Sequence, residues 1–382
     1  VLGWDKSRMK YKSVIVTARG GPEVMQVIEN ELREPEAEEV QIKILAAPVC
    51  APDVQSRYGH SPFPPKMPFT PGYAFIGVVE KIGNGVSEMK VGDRVAALTA
   101  YGSYAEYINW DAEKLIPVPN IVDPAEAVTL ILNYIVAYQT MHRSAKVKAG
   151  DTVLIIGASG GIGTALIAPG KLVGVKMYGL ASPEKHHILN DYGVTPIDYH
   201  KDDFVEVMRE AEPDGLDAVF DGMGGDYFSR GFSLLRRGGV LVGYGNPISV
   251  PGLLKMLGQL IWFNLFPNGK SAKLYGTGAS YINRKPFIDD WAELFKLLKV
   301  KSIKPVVAAK FPLLEAAKAN EFLESGDVIG NIVLLAPELL DVPENQGLIC
   351  EMWGTPCDGE VSLETCIAPN PAQCPNRSQF MT

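Results

Sequence analysis

The stretch DTVLIIGASGGIG, residues 151–163, decides how this chain is read. Val153, Leu154, Ile155 and Ile156 form a continuous apolar run of the kind that builds a parallel strand covered on both faces. Ala158, Gly160 and Gly163 follow in an AxGxxG spacing, which supplies a tight turn, close backbone approach to a pyrophosphate and close packing of a helix on the strand. The helix that opens there adds unpaired N–H groups and a positive dipole end for phosphate, so Ser159, Gly161 and Ile162 join the expected nucleotide cradle.

Downstream the chain alternates strand with helix. Residues 176–179, 218–221 and 240–244 read as strands and 183–192 as a helix, which predicts a doubly wound parallel sheet. Upstream, residues 12–110 are mostly β in pattern, with short strands at 12–17 and 40–45 and turn signals at Gly92, Asp93 and Gly102. Five prolines between residues 61 and 72 predict a stiff irregular loop. Near the end, Trp291, Leu294, Phe295 and Leu298 recur at helical spacing, residues 316–323 form another helix and 332–335 a strand, as expected of a return to the first domain. The expected segments are 1–133, 134–288, 289–340 and a Cys- and Pro-rich appendage at 341–382.

Composition excludes some classes of function. A formal charge of −8 with no dense basic stretch argues against a nucleic-acid partner. The 47% hydrophobic and 21% charged content is that of a globular protein, and no apolar run approaches the roughly 18 residues of a membrane span. No secretory pattern follows Val1, so a cytoplasmic location is expected, with a removed leader left open. Cys50 stands alone in the body. Cys350, Cys357, Cys366 and Cys374 crowd the tail without a CxxC pair, which favours thiols or disulfides over zinc.

NAD sites place an acidic side chain near the end of the second strand to hold the ribose 2′-OH. Here that point reads Gly179, Leu180, Ala181, Ser182. Ser182 can donate a hydrogen bond and Lys185 offers a positive charge to a 2′-phosphate, so NADPH is expected over NADH, with Glu184 close by as the opposing charge. The same SPEK run is also an ordinary helix start. Gly222 and residues 243–246 follow the third and fourth strands, where open α/β sheets bind ligands.

Together the segments resemble the medium-chain dehydrogenase/reductase superfamily, in its zinc-free branch of quinone oxidoreductases and enone reductases. The landmarks are GGPEVMQV from Gly20, TPGYAFIGVVEKIGNGV from Thr70, KVGDRVAALT from Lys90, GSYAEY from Gly102, LNYIVAYQ from Leu132, the glycine turn, and GNIVLL from Gly330. The resemblance implies a Rossmann sheet inserted into a GroES-like β-domain, an active site in the cleft between them, and a homodimer. It places Tyr199 by the adenosine phosphate, Tyr244 and Asn246 by the nicotinamide ribose, and Asn331 beside the cofactor. Zinc-dependent relatives carry a GHE motif where this chain has Gly72, Tyr73 and Ala74, so no metal is expected.

The implied reaction is hydride transfer to a hydrophobic quinone or an α,β-unsaturated carbonyl, with Cys50, Asp53, Tyr58 and Asn133 as candidates for the polar work at the acceptor. Asp53 has a structural alternative as a loop hydrogen bonder. Cys50 replaces the family's usual asparagine with a weak donor, Ala74 replaces a glutamate and Val136 a threonine. Pro169 should kink or shorten its helix. The apolar segment 253–266 is expected as a buried or dimer-facing helix over the cleft, with Trp262 and Phe263 as cleft or interface residues, ahead of a membrane contact. The competing reading is a catalytically weak nucleotide-binding protein, structural or membrane-associated.

Overall fold

The computed structural model describes residues 9–61, 63–245, 249–265 and 267–340, together with the short strand pair Ile349–Cys350 and Thr355–Pro356. Six strands form one sheet, in the spatial order Thr195–Asp198, Lys176–Ala181, Thr152–Ile156, Leu216–Asp221, Leu235–Gly243 and Ser271–Leu274. Every pairing in it is parallel. The order reverses at Thr152–Ile156, so the crevice expected of such sheets opens at the carboxyl end of that strand.

The apolar run behaves as its composition demands. Val153, Leu154 and Ile155 are fully buried and Ile156 nearly so. Val153 and Ile155 join a core with Ala165 and Leu166 of the helix Gly161–Val173, while Leu154 and Ile156 join another with Phe204, Phe228 and Phe232. Alternate residues thus feed the two faces, each worth about 1.5–3 kcal/mol of burial. The helix after the turn runs unbroken through Pro169 for 13 residues. The expected shortening does not occur, because Ala165, Leu166, Ile167 and Pro169 itself are packed into the core and hold the helix past the missing N–H.

The second sheet is built around Glu39–Val49, which pairs antiparallel with Ala74–Ile82, Tyr107–Asp111 and Asn331–Leu335. Arg94–Leu98 and Ile116–Pro117 extend it on one side, and Val307–Pro312 lies parallel to Asn331–Leu335 on the other. Strands from both ends of the chain therefore complete one sheet, and the parallel sheet is inserted between them. A hairpin of Lys10–Val16 and Met25–Glu31 stands beside it. The helix Ala316–Glu324 packs against this sheet, and Lys285–Lys299 buries Trp291, Leu294, Phe295 and Leu298 as their spacing predicts. Among the described residues, no helix is long and apolar enough to cross a membrane.

Candidate functional site

The two sheets face each other across a cavity of about 470 Å³. One wall is made by the carboxyl ends of the parallel strands: Ile156 and Gly157, Leu180 and Ala181, Gly222 and Met223, and Tyr244. The glycine turn forms its centre. The positive φ of the tight turn, +85°, belongs to Gly157, one residue before the Ala158 to which the spacing assigned it. Ala158 is fully buried, donates its N–H to Leu180 at 3.0 Å and does not line the cavity. Gly163 provides the close approach, since a Cβ there would lie 2.2 Å from the Gly157 carbonyl oxygen. At Gly160 the nearest atom to such a Cβ is 3.5 Å away, so the backbone is open on the cavity side.

Ser159, Gly161 and Ile162 also line the cavity, as expected. The helix Gly161–Val173 starts at this wall, bringing its first-turn N–H groups and its dipole to the same point. Open backbone at Gly160, a helix N-terminus and a neighbouring ammonium make a donor set that fits a pyrophosphate-bearing dinucleotide.

Lys185, Tyr199, Gly222 and Tyr244 reach the cavity. Lys185 is 8% exposed, and its ammonium already donates to the carbonyls of Gly326 and, at 3.3 Å, Val328, both on the loop that returns to the other sheet. Two of its three N–H groups are thereby used to tie the walls together. Ser182 does not line the cavity; its hydroxyl is the first cause holding the exposed Glu184 carboxyl below the usual range. Tyr244 lies beside Asp221, and burial first, then that carboxylate, pushes its phenol up. Asp221 itself accepts from Met223 and Gly224 at 2.8 and 2.9 Å, which fixes the loop carrying Met223 into the cavity; burial raises its carboxyl against those bonds. Asn246, Cys357, Cys366 and Cys374 lie outside the described residues.

The opposite wall comes from the antiparallel sheet and its return segment. Val49, Cys50, Ala51 and Pro52 supply one part, and Leu323, Gly326, Val328 and Gly330 the other. Asn133 enters from a π-helical turn, Leu130–Tyr134, a geometry often found where a helix is bent to present a functional side chain. Its Nδ2 donates to Asn331 Oδ1 at 2.6 Å, and Asn331 is anchored on Val306. Asn331 therefore positions Asn133 and does not itself line the cavity.

Asp53 and Tyr58 do not line the cavity. Asp53 sits in the first turn of the helix Ala51–Tyr58, 2% exposed and off the cavity. Its carboxylate accepts from the Cys50 N–H at 3.1 Å, the Cys50 thiol at 2.9 Å, Tyr104 Oη at 3.0 Å and the Gly72 N–H at 3.0 Å. Three of these donors meet Oδ2 and one meets Oδ1, and together they cap the helix and join three segments, the work of a structural hydrogen bonder. Burial pushes its carboxyl up to about 6 against these donors. Burial, then the Asp53 charge, pushes the Cys50 thiol well up, so Cys50, which lines the cavity, keeps a protonated thiol bonded to Asp53. Tyr58 turns away: its hydroxyl donates to Glu324 at 2.9 Å, beside the ion pair that Glu324 makes with the buried Arg57.

Strand-end geometry would have indicated Gly157, Leu180, Ala181 and Met223; nothing local marks Gly326 or Val328, whose role comes from their place opposite Lys185. Among the described residues, no group of three or more His, Cys, Asp and Glu side chains is placed to hold a metal ion.

Residues 36–120 match the family described as alcohol dehydrogenase GroES-like domain, and residues 193–334 match that described as zinc-binding dehydrogenase. The chain is 31% identical over 309 residues to a synaptic vesicle membrane protein VAT-1 homolog from Rattus norvegicus, covering 78% of this chain and 76% of that one. It is 30% identical over 343 residues to a 2-haloacrylate reductase from Burkholderia sp, covering 85% and 98%. The solved structure of Escherichia coli quinone oxidoreductase complexed with NADPH superposes with a TM-score of 0.75 at 29% identity, covering 85% and 99%.

Proposed function

The chain belongs to the medium-chain dehydrogenase/reductase superfamily, in its quinone oxidoreductase branch, and from that premise we propose that it transfers hydride from NADPH to a quinone or an α,β-unsaturated carbonyl without zinc. The observation that carries this reading is a single cavity with the glycine turn on one wall and Cys50 and Asn133 on the other. We take the catalytic domain as residues 1–133 and 289–340 and the nucleotide domain as 134–288.

In this reading the turn at Gly157 to Gly163 holds the pyrophosphate on backbone N–H groups. Lys185 turns its remaining N–H to the 2′-phosphate, and Tyr199 packs by the adenosine. Tyr244 and Gly222, which line the cavity, would border the nicotinamide ribose. The bound cofactor supplies the hydride; the protein positions, excludes water and polarises. Asn133, with one amide N–H held by Asn331 and the other left to donate, is the polar side chain of this wall that can meet an acceptor oxygen as charge develops there, while the single S–H of Cys50 is given to Asp53. The zinc-free assignment is supported by the donor set: the Cys50 sulfur is bonded to Asp53, and residues 72–74 are Gly, Tyr and Ala.

The test is oxidation of NADPH and NADH by the purified protein over a panel of quinones and enones. Turnover is expected with NADPH on at least one acceptor. A second reading, a nucleotide binder without turnover, is favoured by the withdrawal of Asp53 and Tyr58 from the cavity; tight NADPH binding with no acceptor reduced would establish it in place of the first.

A further inference from the structure

The apolar segment around Trp262 forms the helix Val250–Leu265, which neither lines the cavity nor fully buries any residue. One side rests on the nucleotide domain, where Phe263 stacks on Phe232 at 4.2 Å and lies 5.9 Å from Phe228. The other side is a stripe. Val250, Leu254, Leu257, Ile261 and Leu265 recur every three or four residues and are 48, 64, 40, 67 and 69% exposed, with Trp262 alongside. A contiguous apolar surface of this kind on a folded protein marks an interaction site.

The charges around the stripe identify the partner. Residues 250–265 contain no Asp or Glu and one lysine, Lys255, in a chain whose formal charge is −8. At the carboxyl-terminal foot of the helix, Lys270 lies 5.9 Å from the centre of the Phe232 ring on which Phe263 stacks. The exposed Arg237 reaches the adjoining turn, its Nε 3.3 Å from where a Gly269 Cβ would stand, and the charge of Arg209 acts on Lys270. An apolar stripe with a cationic end complements a surface that is apolar below and anionic above. A second copy of the chain would bring another acid-free stripe and leave those cations without counter-charge. At about 24 Å long the helix is too short to span a bilayer and long enough to lie in its interface.

We infer that the helix Val250–Leu265 docks the protein on anionic phospholipid surfaces, with the stripe in the interface and Lys255, Arg209, Arg237 and Lys270 toward the headgroups. This inference does not depend on the oxidoreductase reading. It is tested by co-sedimentation of the full chain with vesicles of phosphatidylcholine alone and of phosphatidylcholine with phosphatidylserine. Binding is expected chiefly to the second. Ile261→Glu with Leu265→Glu, both at exposed positions, should lower it by about tenfold or more with an unchanged melting curve. Arg209→Gln with Arg237→Gln should lower it by about fivefold per charge removed. No sedimentation with either vesicle overturns the inference, as does undiminished binding by the Ile261→Glu/Leu265→Glu protein. A dimer that this variant splits, with no vesicle binding by the parent, assigns the stripe to a second copy and also overturns it.

Discussion

The two walls of the cavity are built from different materials. The nucleotide wall is largely backbone: a turn, strand ends and a helix N-terminus whose donors exist whatever the side chains are. The opposite wall depends on particular side chains, each held by another: Cys50 by Asp53, Asn133 by Asn331, the return loop by Lys185. A backbone site tolerates little change in shape but much change in chemistry. A side-chain site is the reverse, and of Cys50, Ala74 and Val136 only Cys50 reaches this wall, the other two being buried in the core.

The largest effect expected on this contrast is at Asp53. Burial raises its carboxyl from 3.8 to about 6, so the folded state favours the protonated form by about 3 kcal/mol. That stabilisation is fully present below about pH 4 and lost as the pH rises through about 6. Melting curves of the native protein and Asp53→Asn should therefore diverge with pH, the native protein gaining on acidification through this window relative to the permanently neutral variant. A difference independent of pH would mean that the four donors around the carboxylate fully offset its burial, and a reversed trend that they outweigh it.

Next comes Gly163→Ala. Its methyl would lie 2.2 Å from the Gly157 carbonyl oxygen and 2.7 Å from Ala158 backbone atoms, so the turn must shift. Overpacking of this kind costs about 2 kcal/mol, and NADPH affinity by fluorescence titration should fall by about thirtyfold. Unchanged affinity would show that the nucleotide wall does not depend on the turn's shape.

Lys185→Met should have the smallest effect and the most selective one. Loss of the tether to Gly326 and Val328 weakens both cofactors alike, while loss of the charge should cost NADPH about tenfold more than NADH. Equal losses would leave Lys185 as a tether between the walls and nothing more.

Much of the fold is legible in residues 151–163 and in the strand–helix alternation that follows, because burial on two faces demands a continuous apolar run and few residues other than glycine fit such a turn. The strands Thr195–Asp198, Ser271–Leu274 and Val307–Pro312 escape that reading. They lie at the outer edges of their sheets, are short, and carry Pro196, Lys273 and Lys310, so neither alternation nor an apolar run announces them. The segment 253–266 shows the same limit from the other direction: hydrophobicity predicts a helix but does not say whether anything covers it, and its outer stripe is open.

The sequence by itself determined the doubly wound parallel sheet and the glycine turn, because these rest on periodicity and on local backbone geometry, and its ordered motifs carried the resemblance that implied the insertion and the family. Only the tertiary structure decided which polar residues reach the cavity. Asp53 and Tyr58 are drawn into bonds with Tyr104 and Glu324, and Lys185 is shared with Gly326 and Val328, through partners far away in sequence. A side chain's chemistry is local, but the donors and acceptors that claim it are set by the packing of distant segments.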